Sequence, residues 1–311
     1  MSGADWSFAN DSQTLHGLRW DASEPVALVY LVHGLAEHVS RYDAFAQALN
    51  AAGFMVAGHD QRGHGQTARQ GGVAGHFSDH DGWAAMVADA AAGVAAWRAV
   101  KPDLPLVLFG HSMGSFVVQQ ALWSWPELID GAVLSGSNGP PPPLAALGRL
   151  IARVERLRLG PAGRSKLIHS LGFDGMNKAF QPARTELDWL SRDPEMVDRY
   201  IADPDCGFVA STASWISLLD ALPTLARPRN LQRIPKAMPI HLAAGGRDPV
   251  GDFGKGVQRL HDLYRSAGLS DVTLTLYEDA RHEILNETNR AAVTTDLIAR
   301  MQQMIRAGGA R

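Results

Sequence analysis

The sequence predicts an α/β fold, a mainly parallel sheet with helices on both faces, and three observations carry that prediction. Short unbroken apolar runs alternate with longer segments at helical spacing from residue 27 to about 138, and again after 239. That is the rhythm of strands buried on both faces and of the helices that connect them. One run, Leu106-Val107-Leu108-Phe109, enters Gly110-His111-Ser112-Met113-Gly114 and continues as the helix-spaced Ser115-Phe116-Val117-Val118. Strand, very tight turn and helix follow directly on one another there. Between the two alternating blocks lies a stretch with no convincing strand, as expected of an insertion over the sheet.

Taken in order, residues 6–8 and 14–20 read as two short strands joined by the turn formers Asn10-Asp11-Ser12, an antiparallel edge hairpin. Residues 27–32 form a continuous apolar run ending in His33-Gly34-Leu35-Ala36-Glu37-His38. A helix is expected over 42–51, closed by Gly53, then a strand over 54–57 running into a loop through His64 and Gly65. Trp83, Met86, Val87, Ala90, Val94 and Trp97 recur at helical spacing, with Asp79 or Asp81 near the cap position. The helix after Ser112 must stop near Trp125-Pro126, and 132–134 is a further strand. Pro140 to Pro143 are four consecutive prolines, a stiff extended segment. Residues 144–222 read as helix and loop. Strands over 239–244 and 272–276, with helices over 256–267 and 291–305, complete an eight-stranded sheet. The domain reading is a core of residues 1–138 and 223–311 with a helical cap over 139–222. It would lie at the C-terminal edge of the sheet, where active sites of open α/β folds sit.

The totals narrow the class. The 311 residues are 46% apolar and 20% charged, ordinary for a globular protein. A net charge of −3 gives no reason to expect a nucleic-acid partner. With Cys206 as the single cysteine, no disulfide within the chain is possible. The first residues carry neither a basic nor an apolar leader segment, and no run reaches the ~18–20 apolar residues of a membrane span. A cytoplasmic protein is expected, with a peripheral position at a membrane surface as an option; the oligomeric state is not legible.

Ser112 sits at the apex of a G-x-S-x-G turn. A Cβ at either flanking glycine would collide with the neighbouring strand or helix, and the helix N-terminus offers N–H groups to a developing anion. A serine hydroxyl needs a base to become a nucleophile, normally a histidine oriented by a carboxylate. Of twelve histidines, His282 is the best placed, on the loop after the strand 272–276 and before the last helix. His33, His38, His59 and His64 lie on early loops, and His111 is expected to point away from the apex. The carboxylate is expected between serine and histidine in chain order. Asp248 fits, directly after a strand and held extended by Pro249. Asp279 is the rival, and Glu283 is expected to help begin the last helix. Two backbone donors, Leu35 N–H and Met113 N–H, are expected to form an oxyanion hole. No metal or other cofactor is called for, since no H-E-x-x-H or comparable ligand spacing occurs.

Five segments in order, His33-Gly34-Leu35-Ala36-Glu37-His38 with Arg41-Tyr42, Asp60-Gln61-Arg62-Gly63-His64-Gly65, Gly110 to Gly114, Gly246-Arg247-Asp248-Pro249-Val250 and Ala280 to Glu287, resemble the α/β-hydrolases of the monoacylglycerol lipase and lysophospholipase family. Some of its members carry the label serine aminopeptidase-like. The resemblance runs from about residue 25 to 300 and is weakest in the insertion. It implies the α/β-hydrolase fold, Ser112 as nucleophile, Asp248 as acid and His282 as base. It makes Asp60, Arg62 and His64 a structural loop beside the site. The implied activity is hydrolysis of lipid carboxylic esters through an acyl-enzyme, with a small-molecule lipid ester as partner. A broad-specificity carboxylesterase, an aminopeptidase-like hydrolase and a non-catalytic binding protein are the alternatives.

The insertion bears on the substrate. Leu144, Leu147, Leu150, Ile151, Val154 and Leu157 form an apolar stripe at helical spacing, with Arg149, Arg153, Arg156 and Arg158 on the other faces against Glu155 alone. Two readings stand: the helix docks on an anionic lipid surface, or it packs its stripe on the domain below. Met176, Phe180, Trp189 and Trp215 are candidates for an acyl pocket or for simple core.

Overall fold

Eight strands form one sheet in the computed structural model, which describes residues 3–11, 13–142 and 145–308. The strands are β1 (Ala4–Asn10), β2 (Gln13–Trp20), β3 (Ala27–Val32), β4 (Phe54–His59), β5 (Leu106–His111), β6 (Gly131–Ser135), β7 (Ile240–Gly245) and β8 (Val272–Tyr277). Their spatial order is β1-β2-β4-β3-β5-β6-β7-β8. β1 and β2 pair antiparallel and β2 joins β4 antiparallel, while every later pairing is parallel. Ser12, assigned to the hairpin turn, lies outside the described residues.

The connecting helices are α1 (Asp43–Ala51), α2 (Gly65–Arg69), α3 (Gly82–Arg98) and α4 (Met113–Ser124). After β6 come α5 (Ala145–Leu159), α6 (Lys166–Phe173), α7 (Pro194–Ala202), α8 (Thr212–Leu225) and α9 (Pro228–Leu231), and finally α10 (Lys255–Ser266) and α11 (Arg290–Gly308). The central strands are apolar throughout because both their faces are covered. On β3, Leu28, Tyr30 and Val32 join the core beneath α3, α4, α8 and α10, whereas Ala27, Val29 and Leu31 face α1 and α11. This period-two split is what makes an unbroken apolar run a central strand.

Two local expectations change. Asp81 does stand at the start of α3, but in a left-handed turn (φ 51°) and with no side-chain cap hydrogen bond. The five-residue α2 is too short to show a period in the sequence.

Between β6 and β7 the described chain adds no strand to the sheet. Its segment Asp188–Ser191 lies against the loop after β8, with His282 N–H donating to Trp189 O (3.3 Å) and Glu283 N–H to Leu190 O (2.8 Å). Helix α8 continues through residue 222 to Leu225. Helix α5 packs against α8 with Ala152 and Glu155 buried, and it turns Leu147, Leu150, Val154 and Leu157 outward, Leu157 being 89% exposed. Most of the stripe therefore faces outward, and Ile151 is half-buried. Leu144, also assigned to it, lies outside the described residues.

Candidate active site

Ser112 occupies the junction of β5 and α4 at φ 51°, ψ −120°, a conformation rare for a residue with a Cβ and held here by its surroundings. Its N–H donates to Ser135 O on β6 (2.9 Å). The glycines around it are there for space. A Cβ on Gly110 would stand 2.5 Å from Gly114 O, and one on Gly114 would strike the Val32 and His33 carbonyls. A Cβ on Gly34, in the loop after β3, would lie 3.1 Å from Ser112 Cβ. The turn thus presses directly against the loop that carries Leu35.

Asp248 and His282 are brought together by two loops that follow β7 and β8. The pairing of these strands continues past their ends, Gly246 N–H donating to Tyr277 O (2.8 Å) and Arg247 N–H to Ala280 O (2.9 Å). Gly245 permits this, because a Cβ there would strike the Ala280 and Arg281 carbonyls. Asp248 is fully buried. Its Oδ1 accepts from Val250 N–H at 2.9 Å, and its Oδ2 lies 2.9 Å from His282 Nδ1. That contact puts the proton of a neutral His282 on Nδ1 and leaves Nε2 as the acceptor. Burial alone would lower the His282 pKa, but Asp248, with Glu283 and Glu37, outweighs it and raises the imidazole above its ordinary value.

Ser112, His282, Leu35 and Met113 all line one cavity of about 320 Å³. In this resting geometry no hydrogen bond joins the Ser112 hydroxyl to His282 among the described residues. Such bonds commonly tighten only when substrate is bound. Leu35 N–H and Met113 N–H meet no acceptor within the described chain, so both remain available to a ligand oxygen. Away from Ser112 the wall is apolar, built from Phe116, Phe173, Met176, Trp189, Trp215 and Leu218 among others. Phe180 belongs instead to a small cluster with Trp189 and Tyr200, beneath the Arg281 guanidinium at 4.2 Å.

His111 does not point away from the site. Its ring packs 4.7 Å from that of His282, with Nδ1 3.2 Å from Ser135 Oγ, and burial together with His282 lowers its pKa to about 4. The other early histidines serve the loops. His33 is buried, accepting from Gln61 N–H at Nε2 (2.9 Å), and His64 stacks on Phe77. Asp60 accepts from Val39 N–H and Gln66 N–H, both at 2.8 Å, and Arg62 pairs with the buried Asp89. None of Asp60, Arg62 and His64 lines the cavity. The rival Asp279 is exposed, 4.0 Å from Arg192.

Sequence reasoning missed a buried ion network. Glu283 does not start the last helix. It receives two hydrogen bonds from Arg41, each 2.7 Å, and one from Asn286 Nδ2 at 2.9 Å. Arg41 also bonds Glu37 at 2.7 Å, and Glu37 accepts from Gly34 N–H (2.6 Å) and Tyr42 O–H (2.9 Å). Burial would raise the Glu37 carboxyl, but Arg41 above all brings it down to about 2. The signal present in the sequence was the acid-to-base spacing of four from Glu37 to Arg41. As for metal ligands, His38, Asp203 and Cys206 each bring one ligand atom within 4.8 Å of the others. Burial pushes the Cys206 thiol well up, away from the thiolate that a metal needs.

The model of the family described as serine aminopeptidase, S33, matches residues 23–289. The monoacylglycerol lipase of Mycolicibacterium smegmatis is 29% identical over 88% of each chain. The monoglyceride lipase of Mus musculus is 30% identical over 89% of this chain and 82% of its own. Among solved structures, a thermostable carboxyl esterase from Bacillus coagulans superposes with a TM-score of 0.90 at 27% identity, covering 98% of this chain and 99% of that one. The extent of these matches, the eight-stranded sheet and the glycine-flanked serine turn lead to one conclusion: the chain belongs to the serine aminopeptidase S33 family of α/β-hydrolases, together with the monoacylglycerol lipases, and is an ester hydrolase.

Proposed function

We propose that this enzyme hydrolyses carboxylic monoesters of lipids, monoacylglycerols or lysophospholipids, through an acyl-enzyme on Ser112. The observation that carries this reading is the 2.9 Å contact of His282 Nδ1 with the buried Asp248, in the wall of an apolar cavity that also holds Ser112. Ser112 Oγ attacks the ester carbonyl carbon while its proton passes to His282 Nε2. Asp248 holds the imidazole and stabilises the imidazolium that forms. The carbonyl oxygen, now negative, takes hydrogen bonds from Leu35 N–H and Met113 N–H. Collapse expels the alcohol, which leaves with the proton from His282. Water then gives a proton to His282 and attacks the acyl carbon, releasing the fatty acid and restoring Ser112.

The cavity's wall, mostly aromatic and aliphatic with His169 and Asn138 among its few polar members, supports a long acyl group. The carboxylates that line it, Glu37 and Glu283, are both held by Arg41. Neither is free to anchor a peptide's α-amino group, which counts against the aminopeptidase-like alternative. We also assign residues 139–222 to a cap, and the outward stripe of α5, flanked by Arg149, Arg153 and Arg156, to transient contact with an anionic membrane surface. Parallel turnover of micellar 1-monooleoylglycerol, lysophosphatidylcholine, p-nitrophenyl butyrate and alanyl-naphthylamide tests the assignment. Long-chain monoesters are expected to lead. Butyrate turned over far faster than the lipids would instead mark a broad carboxylesterase, and cleavage of the naphthylamide a peptidase.

A further inference from the structure

We infer that Arg41 is a positioning residue, the hub that sets the loop carrying one oxyanion donor against the loop carrying the base. The inference rests on the assignment of Ser112, His282 and Leu35 above. The loop after β3 has to present Leu35 N–H to an oxygen whose position is defined by Ser112, and the loop after β8 has to present His282 to the same point. The two loops are 242 residues apart in sequence at Arg41 and Glu283, so local backbone preference cannot set their spacing. One guanidinium does so. Arg41 spans Glu37 and Glu283 with three hydrogen bonds of 2.7 Å each. Glu37 in turn holds Gly34 N–H, one residue before Leu35, and Glu283 follows His282 directly.

The network is buried, with side-chain exposures of 12% for Arg41, 5% for Glu37 and 6% for Glu283. A planar guanidinium with forked donors fixes both distance and orientation, which an ammonium cannot do. The insertion closes the third side. Arg41 lies 4.8 Å over the Tyr200 ring, while Tyr200 O–H and Gly207 N–H both donate to Ala36 O, at 2.8 and 3.0 Å. Ala36 has φ 58°, in the left-handed region that a residue with a Cβ rarely adopts. The bonds from the insertion thus pin the strained residue that follows Leu35. None of these groups touches the reacting atoms. Their contribution is geometric, and misplacing a catalytic group by about 1 Å costs on the order of 100-fold.

The test compares Arg41→Lys, Glu283→Gln and Arg41→Met with the wild type. Active sites are counted by a fluorophosphonate, and kcat, KM and the affinity for a long-chain trifluoromethyl ketone are measured. The free ketone, in equilibrium with its hydrate, is attacked at its carbonyl carbon by Ser112 Oγ, whose proton passes to His282, and the hemiketal places a negative oxygen between the two donors. Arg41→Met strands two buried carboxylates and is expected to fold poorly, so the two milder variants carry the decision. Arg41→Lys is expected to lower kcat per titrated site roughly 10- to 100-fold, to weaken the ketone in parallel, and to leave KM within about twofold. Glu283→Gln, which keeps one acceptor, is expected to lose less in the same pattern. Wild-type kcat per site and ketone affinity in both variants, whatever their Tm, would overturn the inference, as would a rise in KM with kcat intact. A wild type that cleaves no ester would instead overturn the functional reading beneath it.

Discussion

His282 has two neighbours that decide its chemistry, Asp248 across the hydrogen bond and Glu283 beside it. In the proposed mechanism His282 is the base, and because its pKa is raised, the neutral imidazole is depleted as pH falls below a value above the usual 6.5 of histidine. kcat/KM is therefore expected to fall on the acid side of that pKa. Asp248→Asn removes the largest raising partner, so the acid limb should move to lower pH, and the plateau should drop by about 10⁴-fold as the tautomer is lost. A pH profile from 5 to 9 for both proteins checks this; a limb that stays in place would separate Asp248 from His282. At this scale much was legible. Ser112 and Asp248 each stand just past a buried strand, and His282 follows β8 by a short loop. Chain order allows Asp279 equally, and what disfavours it is that it stands only three residues before His282. Glu37, Arg41 and Glu283 were not legible as a unit, because their meeting depends on two loops that only the closed sheet brings together. His111, expected to point away from the apex, packs its ring 4.7 Å from that of His282, a placement set by the tight turn at Ser112 and the loop after β8 together.

Among the elements, the central strands announced themselves as unbroken apolar runs. β3, β4, β5 and β7 are apolar at nearly every position because helices cover both faces. The insertion gave no such signal, since a helix with an apolar stripe looks the same whether the stripe is covered or not. The structure turns the stripe of α5 outward and buries Glu155 beneath it, satisfied by Arg158 at 2.8 Å and by Ser165. Leu150 and Leu157 are 58% and 89% exposed. Replacing both with Asp is expected to reduce sedimentation with phosphatidylglycerol vesicles several-fold. Hydrolysis of a monomeric short-chain ester should stay unchanged, because neither residue reaches the cavity. Equal vesicle binding by the double variant would remove α5 from the account of how lipid is approached. No helix among the described residues is long and apolar enough to cross a membrane.

Over the whole molecule, the sheet works as a registration device. Parallel strands β3, β5, β7 and β8 end on one edge: the loops after β3, β5 and β8 bring Leu35, Ser112 and His282 to one cavity, and the loop after β7 sets the buried Asp248 against His282 Nδ1. The insertion then supplies the apolar wall above them and fastens both outer loops, through Trp189 and Leu190 on one side and Tyr200 on the other. Everything in this arrangement converges on one hydroxyl. The most direct measurement is therefore stoichiometric reaction with a long-chain fluorophosphonate, followed by peptide mapping of the adduct and by residual hydrolysis of 1-monooleoylglycerol at each degree of labelling. The account predicts a single adduct on Ser112, activity lost in proportion to labelling, and Ser112→Ala both unlabelled and slower by roughly a millionfold. Hydrolysis that persists with Ser112 fully blocked, or an adduct on another residue, would contradict it.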